Sequence, residues 1–246
     1  MRRRHLTVEE REGVVRLRLS GSPLCLAEAR ELSFAAVELA ENRTVRAVVL
    51  ESAGPNFCLG AATDLDPLHC DVNPPADLSL LRVPVVAALS GCVHSVGLEI
   101  ALVADIRIVT TDVIASMRDI AAGKLPCWGG TQRLPRVVGR STALGMLIGG
   151  FQLDAQSARE SGLAHEITEP AALRTTVNTL VEQLTALGPL ALEYAKEAVI
   201  AGIELPMRDG LRIEADLNNL LAAASEDRVE GLGAFFEKRP PRFTGR

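Results

Sequence analysis

The sequence predicts an α/β fold followed by a largely helical C-terminal part. The first observation is a strand, an amphipathic helix and a second strand in succession, at Val14–Leu19, Leu26–Ala40 and Val45–Ser52. This succession is typical of right-handed crossovers between parallel strands. The second observation is that, beyond Thr131, most segments carry apolar residues at helical spacing.

Length and composition limit the class of protein. The chain has 246 residues, of which 48% are hydrophobic, enough for one large domain or for one domain with an appendage. The formal net charge of −5 argues against a nucleic-acid partner. No apolar run reaches ~18 residues and no signal peptide precedes the first strand, so no membrane partner is expected. Basic residues cluster at Arg2–Arg4 and Lys238–Arg246, and solvated tails are their simplest interpretation.

The cysteines indicate free thiols. There are five, at irregular spacing and without a CxxC motif. This pattern is typical of a reducing cytosol, so we expect a cytoplasmic protein. His69–Cys70 and the pair Cys92 and His94 are the only neighbouring cysteine and histidine residues, and their spacing does not suit zinc. No metal site is therefore expected.

The first half of the chain alternates strands and turns. His5–Glu9 and Val14–Leu19 alternate in polarity around a turn, which predicts a hairpin. Leu26–Ala40 follows as a helix and Val45–Ser52 as a buried strand. A turn rich in small residues continues to Leu65. Residues 66–82 contain three prolines and are predicted to form a mixed loop.

The stretch from Val83 to Leu134 organises the remainder. Val83–Leu89 is predicted as a strand, Ser90–Gly97 as a small-residue turn, and the following apolar run as a helix that contains Glu99. A strand, turn and helix in this order place backbone N–H groups at a helix N-terminus, where an anion or a developing oxyanion is stabilised. A strand from Asp105 to Val109 follows, and a second carboxylate, Asp119, lies in the link after it.

Beyond Thr131 the prediction is mainly helical. Asp154 and Gly162 have the positions of an N-cap and of a residue just past a helix end. A short strand is expected at His165–Ile167. The predicted helices are Leu134–Gly149, 154–162, Pro170–Leu187, Leu190–Ile203, Met207–Ala224 and Arg228–Lys238.

Several motifs in order resemble the crotonase superfamily, which contains the enoyl-CoA hydratases and isomerases. They are FCLGA at 57–61, PVVAALSG at 84–91, GLEIALVAD at 97–105, GGTQRLPRVVG at 129–139, LDAQSARESGLA at 153–164 and EGLGAFFEKR at 230–239. The resemblance extends over residues 5–243.

This resemblance implies a spiral of repeated strand–strand–helix turns as the acyl-CoA-binding core, residues 1–188. Residues 189–246 would form a helical region for assembly into a homotrimer or homohexamer. The backbone N–H groups of Ala61 and Val96 would form the oxyanion hole for the thioester carbonyl. Glu99 matches one catalytic glutamate, and Asp119 stands where the second would be.

The resemblance also implies that the substrate is an acyl-CoA thioester and that no separate cofactor is needed. Substrate and CoA contacts would come from the first small-residue turn, the oxyanion turn and the C-terminus. The candidates are Cys58, Gly60, Ala62, Asp64, Leu65, Gly97, Trp128, Phe235 and Lys238.

The chain departs from the family pattern in the site itself. Ser95-Val96-Gly97 replaces a run of three glycines, which adds a Cβ beside the thioester and removes freedom at positive φ. Asp119 is one methylene shorter than glutamate. Cys127-Trp128 replaces small residues, so Trp128 could fill part of the acyl pocket. The loop Ala62–Arg82 is shorter than usual, and an asparagine common near Pro23 is missing.

Each candidate also has a structural interpretation. Glu99 could cap a helix or pair with a buried arginine, but it is the only charged residue between Arg82 and Asp105. Asp119 could pair with Arg118 or cap the next helix. His94 should point away from the acyl carbons, and Asp105 is explained by capping. Trp128 could be pocket wall or core, and Lys238 could be a solvated charge.

The predicted function is reversible addition of water to a 2-enoyl-CoA, with Glu99 and Asp119 sharing acid–base work around one water. Double-bond isomerisation or another enolate reaction, such as decarboxylation or hydrolysis, is a close variant. A catalytically weak acyl-CoA-binding or assembly paralogue is the alternative from another class.

Overall fold

The computed structural model describes residues 4–245. Arg2, Arg3 and Arg246 of the two predicted basic tails lie outside the described residues.

A largely parallel sheet forms the base of the fold. Its six strands run in the order β1-β2-β3-β4-β6-β8. Only β1 is antiparallel to its neighbour, as the predicted hairpin requires. The central strand β4 is buried along its whole length, which explains its uninterrupted apolar sequence. The strands are β1 Thr7–Arg11, β2 Val14–Leu19, β3 Ala47–Ser52, β4 Val85–Leu89, β6 Ile106–Thr110 and β8 Glu166–Thr168.

A second, smaller ladder lies at the ends of these strands. Strands β5 (Cys92–His94) and β7 (Ile114–Ser116) pair in parallel. Single bridges extend the ladder from Val93 to Cys58 and from Ala115 to Leu153. Each coil of the chain thus adds one strand to the large sheet and one short segment to the small ladder. This confirms the predicted crotonase-like strand–strand–helix spiral, followed by C-terminal helices.

The helices begin at recognisable signals. Asp154 caps α5 by accepting the Ser157 N–H at 2.8 Å, as predicted. The helices are α1 Leu26–Glu41, α2 Pro74–Leu78, α3 Val96–Ala101, α4 Gly130–Gly149, α5 Ala155–Glu160, α6 Leu173–Thr185, α7 Pro189–Gly202, α8 Met207–Ala224 and α9 Glu226–Glu237.

Three local features differ from the prediction. Strands β5 and β7 have three residues each, too few to show a period. Helix α2 lies inside the predicted loop, because Pro74 and Pro75 occupy its first turn and Asn73 caps it through a bond from the Ala76 N–H. Helix α4 begins four residues before Leu134 and is interrupted at Gly139, whose φ is 76°.

The described chain divides into two compact units. One contains the residues up to Leu81 and Val85–Asn178, and the other contains Arg82–Pro84 and the residues from Thr179 onward. In the second unit Leu217 is buried, whereas Leu211 and Leu220 are each 54% exposed. Within residues 4–245, no helix combines the length and apolar character needed to cross a bilayer.

Candidate active site

The turn that was predicted to hold an oxyanion lies at the junction of β5 and α3. The Ser95 N–H donates to the Ser116 carbonyl at 2.9 Å, and the Ser95 carbonyl accepts the Glu99 N–H at 3.0 Å. Helix α3 therefore starts at Val96, which is 1% exposed. Among the described residues the Val96 N–H has no hydrogen-bonding partner, as is usual for a first-turn amide.

The conformational strain of this turn falls on Ser95 rather than on Val96. Ser95 has φ 47° and ψ −115°, a region that side chains other than glycine rarely occupy. Val96 has ordinary helical geometry. Of the two substitutions in the three-glycine pattern, serine at position 95 strains the backbone and valine at position 96 does not.

The segment that carries Ala61 contains the second amide predicted for the oxyanion hole. Leu24 donates its N–H to the Gly60 carbonyl and accepts the Ala62 N–H, both at 2.8 Å. In such a parallel bridge the Ala61 N–H between these two groups faces away from Leu24. It has no partner among the described residues. Both predicted amide donors are thus free to bind an oxygen.

Close packing brings the two amide-bearing segments together. Cys58 donates its N–H to Cys92 and accepts the His94 N–H, which ties the Ala61 segment to β5. A Cβ at Gly97 would lie 2.5 Å from Cys58 Cβ, so only glycine permits this approach. Burial raises the pKa of the Cys58 thiol to about 11, which keeps it protonated.

Glu99 is a buried and rigidly held carboxylate. It is 1% exposed, and its Oε1 accepts the backbone N–H groups of Trp128 at 2.8 Å and Gly130 at 2.7 Å. These donors lie at the N-terminus of α4, where the helix dipole favours negative charge. A Cβ on Gly130 would lie 3.1 Å from this oxygen, so glycine allows the close approach. The other oxygen, Oε2, is buried without a partner in the described chain.

The environment raises the pKa of Glu99 to about 7. Desolvation by burial is the largest cause, and the negative charge of Asp119 adds to it. The two backbone N–H bonds and the cation of Arg133 act in the opposite direction. The structural alternative of an ion pair with a buried arginine is absent from the ion pairs of the described residues. A carboxyl group that titrates near neutrality is suited to both giving and taking a proton.

Asp119 lies three residues beyond β7. Its Oδ2 is buried and has no partner within residues 4–245. Its charge contributes to the raised pKa of Glu99, which places the two carboxylates near each other. No ion pair joins Arg118 to Asp119 among the described residues, and the Arg118 Nε donates instead to Ser116 Oγ at 3.2 Å.

His94 and Asp105 have structural partners. His94 is 4% exposed and its Nδ1 lies 2.8 Å from Ser116 Oγ. Burial and the nearby Arg118 lower its pKa, so the ring is neutral. Asp105 accepts the Val85 N–H at 2.7 Å at the entry of β4. Neither geometry directs these side chains towards acid–base work.

Trp128 belongs mainly to the core. Its side chain is 2% exposed, and its Nε1 is buried without a partner among the described groups. It also lines a shallow cavity of about 410 Å³. The other lining residues are Pro67, Leu68, Cys70, Asp71, Val72, Asn73 and Cys127. The hydrogen bond from Trp128 to Glu99 comes from its backbone N–H.

The remaining candidates fall into two groups. In the first unit, Gly60 has φ 101°, Leu65 is 3% exposed, and Asp64 accepts the Leu26 N–H at 3.3 Å. In the second unit, Phe235 is 77% exposed and Lys238 is the exposed left-handed C-cap of α9.

Sequence reasoning missed the groups that hold Glu99. The Trp128 and Gly130 donors are backbone atoms, which no residue type specifies. Arg133 was also missed, although its Nη1 donates to the Trp128 carbonyl at 3.1 Å and so stabilises the loop. The glycine pair 129–130 just before a helix was the only available signal.

Comparison with known proteins is consistent with this geometry. A model of the family described as enoyl-CoA hydratase/isomerase matches residues 9–246. The mouse mitochondrial methylglutaconyl-CoA hydratase is 33% identical, over 100% of this chain and 83% of the relative. The (E)-benzylidenesuccinyl-CoA hydratase of Thauera aromatica is 32% identical, over 82% of each chain. The crystal structure of an enoyl-CoA hydratase from Bacillus anthracis superposes with a TM-score of 0.91 at 30% identity, covering 99% of this chain and 100% of that one.

Proposed function

This chain belongs to the enoyl-CoA hydratase/isomerase family, and on that premise we propose that it adds water reversibly to a 2-enoyl-CoA thioester. The observation that carries the proposal is the Glu99 carboxyl group. It is held by two backbone amides, lies on the same short helix as Val96, and has a pKa of about 7 that the negative charge of Asp119 helps to raise.

The oxyanion hole would consist of the Ala61 and Val96 amides. Addition of water to the β carbon places negative charge on the thioester oxygen as an enolate. Two preorganised N–H donors stabilise that charge, and loss of one such donor typically costs about 3 kcal/mol. The Cys58–Gly97 contact holds the two donor segments together.

Glu99 and Asp119 would share the proton transfers. Hydration requires a base for the attacking water and an acid for the α carbon. Glu99 has one oxygen immobilised, so its free Oε2 is the atom that exchanges a proton. Asp119 offers its free Oδ2 from the opposite segment. Two carboxyl groups with unpaired oxygens can bind one water between them once the site opens.

The CoA portion would bind along the first small-residue turn. We propose backbone and side-chain contacts from Cys58, Gly60, Ala62, Asp64 and Leu65. Gly97 and Trp128 would border the acyl group, and Phe235 and Lys238 would meet the nucleotide. No cofactor is proposed beyond the thioester itself, and the free cysteines favour a cytoplasmic setting.

A homotrimer or homohexamer is the proposed assembly, with residues 189–246 as its contact region and residues 1–188 as the catalytic core. Helices α7 to α9 expose large apolar side chains, which a second copy would bury. They are Val199 at 67%, Ile203 at 70%, Met207 at 78%, Val229 at 73% and Phe236 at 79%.

One observation favours the alternative of a weakly active acyl-CoA-binding paralogue. The free oxygens of Glu99 and Asp119 are both sealed from solvent, so a water must displace protein atoms to reach them. A structure with acetyl-CoA separates the two candidates. A thioester oxygen about 3 Å from both the Ala61 and Val96 nitrogens supports the enzyme, and exclusion of the acyl group supports the paralogue.

The direct test is turnover of a series of 2-enoyl-CoA thioesters, beginning with crotonyl-CoA. Loss of the conjugated thioester absorbance and a mass increase of one water are expected. The Glu99→Gln variant is the matched control, because the amide keeps the size and removes the titrating group. Formation of an isomer without water gain would assign double-bond isomerisation instead. No reaction of any thioester would leave the binding role.

A further inference from the structure

A polar network, buried at Ser95, Ser116 and His94 and exposed at Arg118, connects the turn before α3 to the segment that carries Asp119. Ser95 Oγ accepts the Arg118 backbone N–H at 3.2 Å, and Ser95 is 8% exposed. The Arg118 side chain makes a second bond nearby, because its Nε donates to Ser116 Oγ at 3.2 Å. Arg118 is therefore held at two points, and Asp119 is the next residue.

The hydrogen positions of this network follow from its chemistry. Arg118 Nε is a donor only, so Ser116 Oγ accepts from it and has its own hydrogen available for His94 Nδ1. His94 is then neutral, which agrees with the lowering of its pKa by burial and by Arg118. The three buried members, Ser95, Ser116 and His94, each have a hydrogen-bonding partner, as buried polar groups require.

Ser95 occupies a backbone conformation in which glycine would be less strained. At φ 47° and ψ −115° its Cβ is unfavourable, and its side chain makes one hydrogen bond, to the Arg118 N–H. A strained residue whose side chain makes one part-buried hydrogen bond points to a function for that bond. The bond joins the strand that ends at the Val96 amide to the chain that presents Asp119.

We propose that Ser95 is a positioning residue, whose hydroxyl holds the Arg118–Asp119 segment so that the short Asp119 side chain reaches the reacting centre beside Glu99. Beyond Ser116 the chain leaves the β7 ladder, and the Ser95 bond is the first anchor before Asp119. The next backbone bonds made by Asp119 are from Ala122 and Lys124, on its C-terminal side. The inference rests on the proposed hydratase function for its kinetic consequence.

The kinetic test compares Ser95→Ala with Ser95→Gly. Alanine keeps the Cβ and glycine removes the strain, but both lose the hydroxyl. We expect kcat for crotonyl-CoA hydration to fall about 10-fold in both variants, as for a misplaced acid–base group, while KM stays within about twofold. Unfolding midpoints of both variants control for stability. If Ser95→Gly retains the wild-type kcat, the hydroxyl has no role and the proposal is refuted.

A double-mutant cycle with Asp119→Asn identifies the route. If Ser95 acts through Asp119, Ser95→Ala should have little further effect in the Asp119→Asn background. Equal losses in both backgrounds would mean that Ser95 acts through the Val96 amide, which contradicts the proposal.

A readout without turnover separates this inference from the proposed function. The negative charge of Asp119 raises the pKa of Glu99, so displacement of Asp119 in Ser95→Ala should lower the pKa of Glu99. Arg133 and Cys127, the other titratable groups near Glu99, are not altered. Carboxyl ¹³C titration by NMR, assigned by the signal lost in Glu99→Gln, measures the shift. An unchanged Glu99 pKa in Ser95→Ala would overturn the positioning role even in a protein without hydratase activity.

Discussion

Adding one methyl group at Gly97 should disable the oxyanion hole. A Cβ at this position would lie 2.5 Å from Cys58 Cβ and 2.9 Å from Cys58 Sγ. The shorter distance is about 0.9 Å less than the 3.4 Å at which ordinary contact begins. Since the Cβ atoms of residues 97 and 58 are each attached directly to the backbone and cannot rotate away, Gly97→Ala must move the α3 turn and the Ala61 segment apart by about this amount.

The cost follows from hydrogen-bond geometry. A donor that stabilises the enolate oxygen at about 2.9 Å would lie near 3.8 Å after this displacement, beyond hydrogen-bonding distance. Loss of one donor corresponds to a 10²–10³-fold decrease in kcat, or about 3–4 kcal/mol. The assay is steady-state hydration of crotonyl-CoA, with the unfolding midpoint measured in parallel.

Two second-site variants at Cys58 test whether the overlap between the two Cβ atoms causes the loss of kcat. Cys58→Ala removes only Sγ and leaves the 2.5 Å overlap, so it should not restore kcat to Gly97→Ala. Cys58→Gly removes both atoms and should restore part of it. Wild-type kcat in Gly97→Ala, or rescue by Cys58→Ala that equals rescue by Cys58→Gly, would show that this contact does not set the donor positions.

The other predictions concern charge and assembly. Asp119→Asn should lower kcat on the order of 10²-fold if Asp119 reaches the substrate, whereas Asp119→Glu should raise it if the short side chain limits the rate; unchanged rates in both variants would remove Asp119 from the mechanism. The pKa of Glu99 is raised on folding from 4.5 to about 7, so its ionisation opposes folding as the pH rises through this range. Glu99→Gln should therefore gain roughly 3 kcal/mol of stability relative to wild type between pH 4 and pH 8, and a pH-independent difference in urea unfolding would contradict the raised pKa. Lys238→Glu should weaken CoA binding in calorimetry, more strongly at low salt, while the exposed Arg208→Glu should not; equal affinities would exclude Lys238 from the site. Sedimentation should give a trimer or hexamer, and a 26.2 kDa monomer at micromolar concentration would count against the proposed interface.

Long periodic elements could be predicted from the sequence. The alternation of Val14–Leu19 and the helical spacing of Leu26–Glu41 and Met207–Ala224 arise from burial of one face, which leaves a direct record in residue type. The family resemblance added the spiral and the candidate carboxylates. Strands β5 and β7 could not be predicted, because three residues held by neighbouring backbone carry no period.

In the candidate site, too, some features could be predicted from residue type and others could not. Glu99 could be singled out because a charge inside an apolar run is conspicuous. Its hydrogen-bonding partners are the Trp128 and Gly130 amides, and backbone donors have no sequence signature. The Ser95 conformation was also hidden, since the expected crowding at Val96 depends on φ and ψ values that only the folded turn defines.

The two carboxylate oxygens of Glu99 have different surroundings, and this difference affects how fast a hydrogen isotope label on the substrate is lost. Oε1 is occupied by two amides, so the carboxyl group cannot rotate to exchange its oxygens, and Oε2 has no contact with bulk water. While the site stays closed over a bound substrate, a proton taken up by Oε2 can exchange only with that substrate and its water. Successive dehydration and rehydration of one bound molecule would then recycle a single proton, and a label on the substrate would be retained through several reversals before it was washed out.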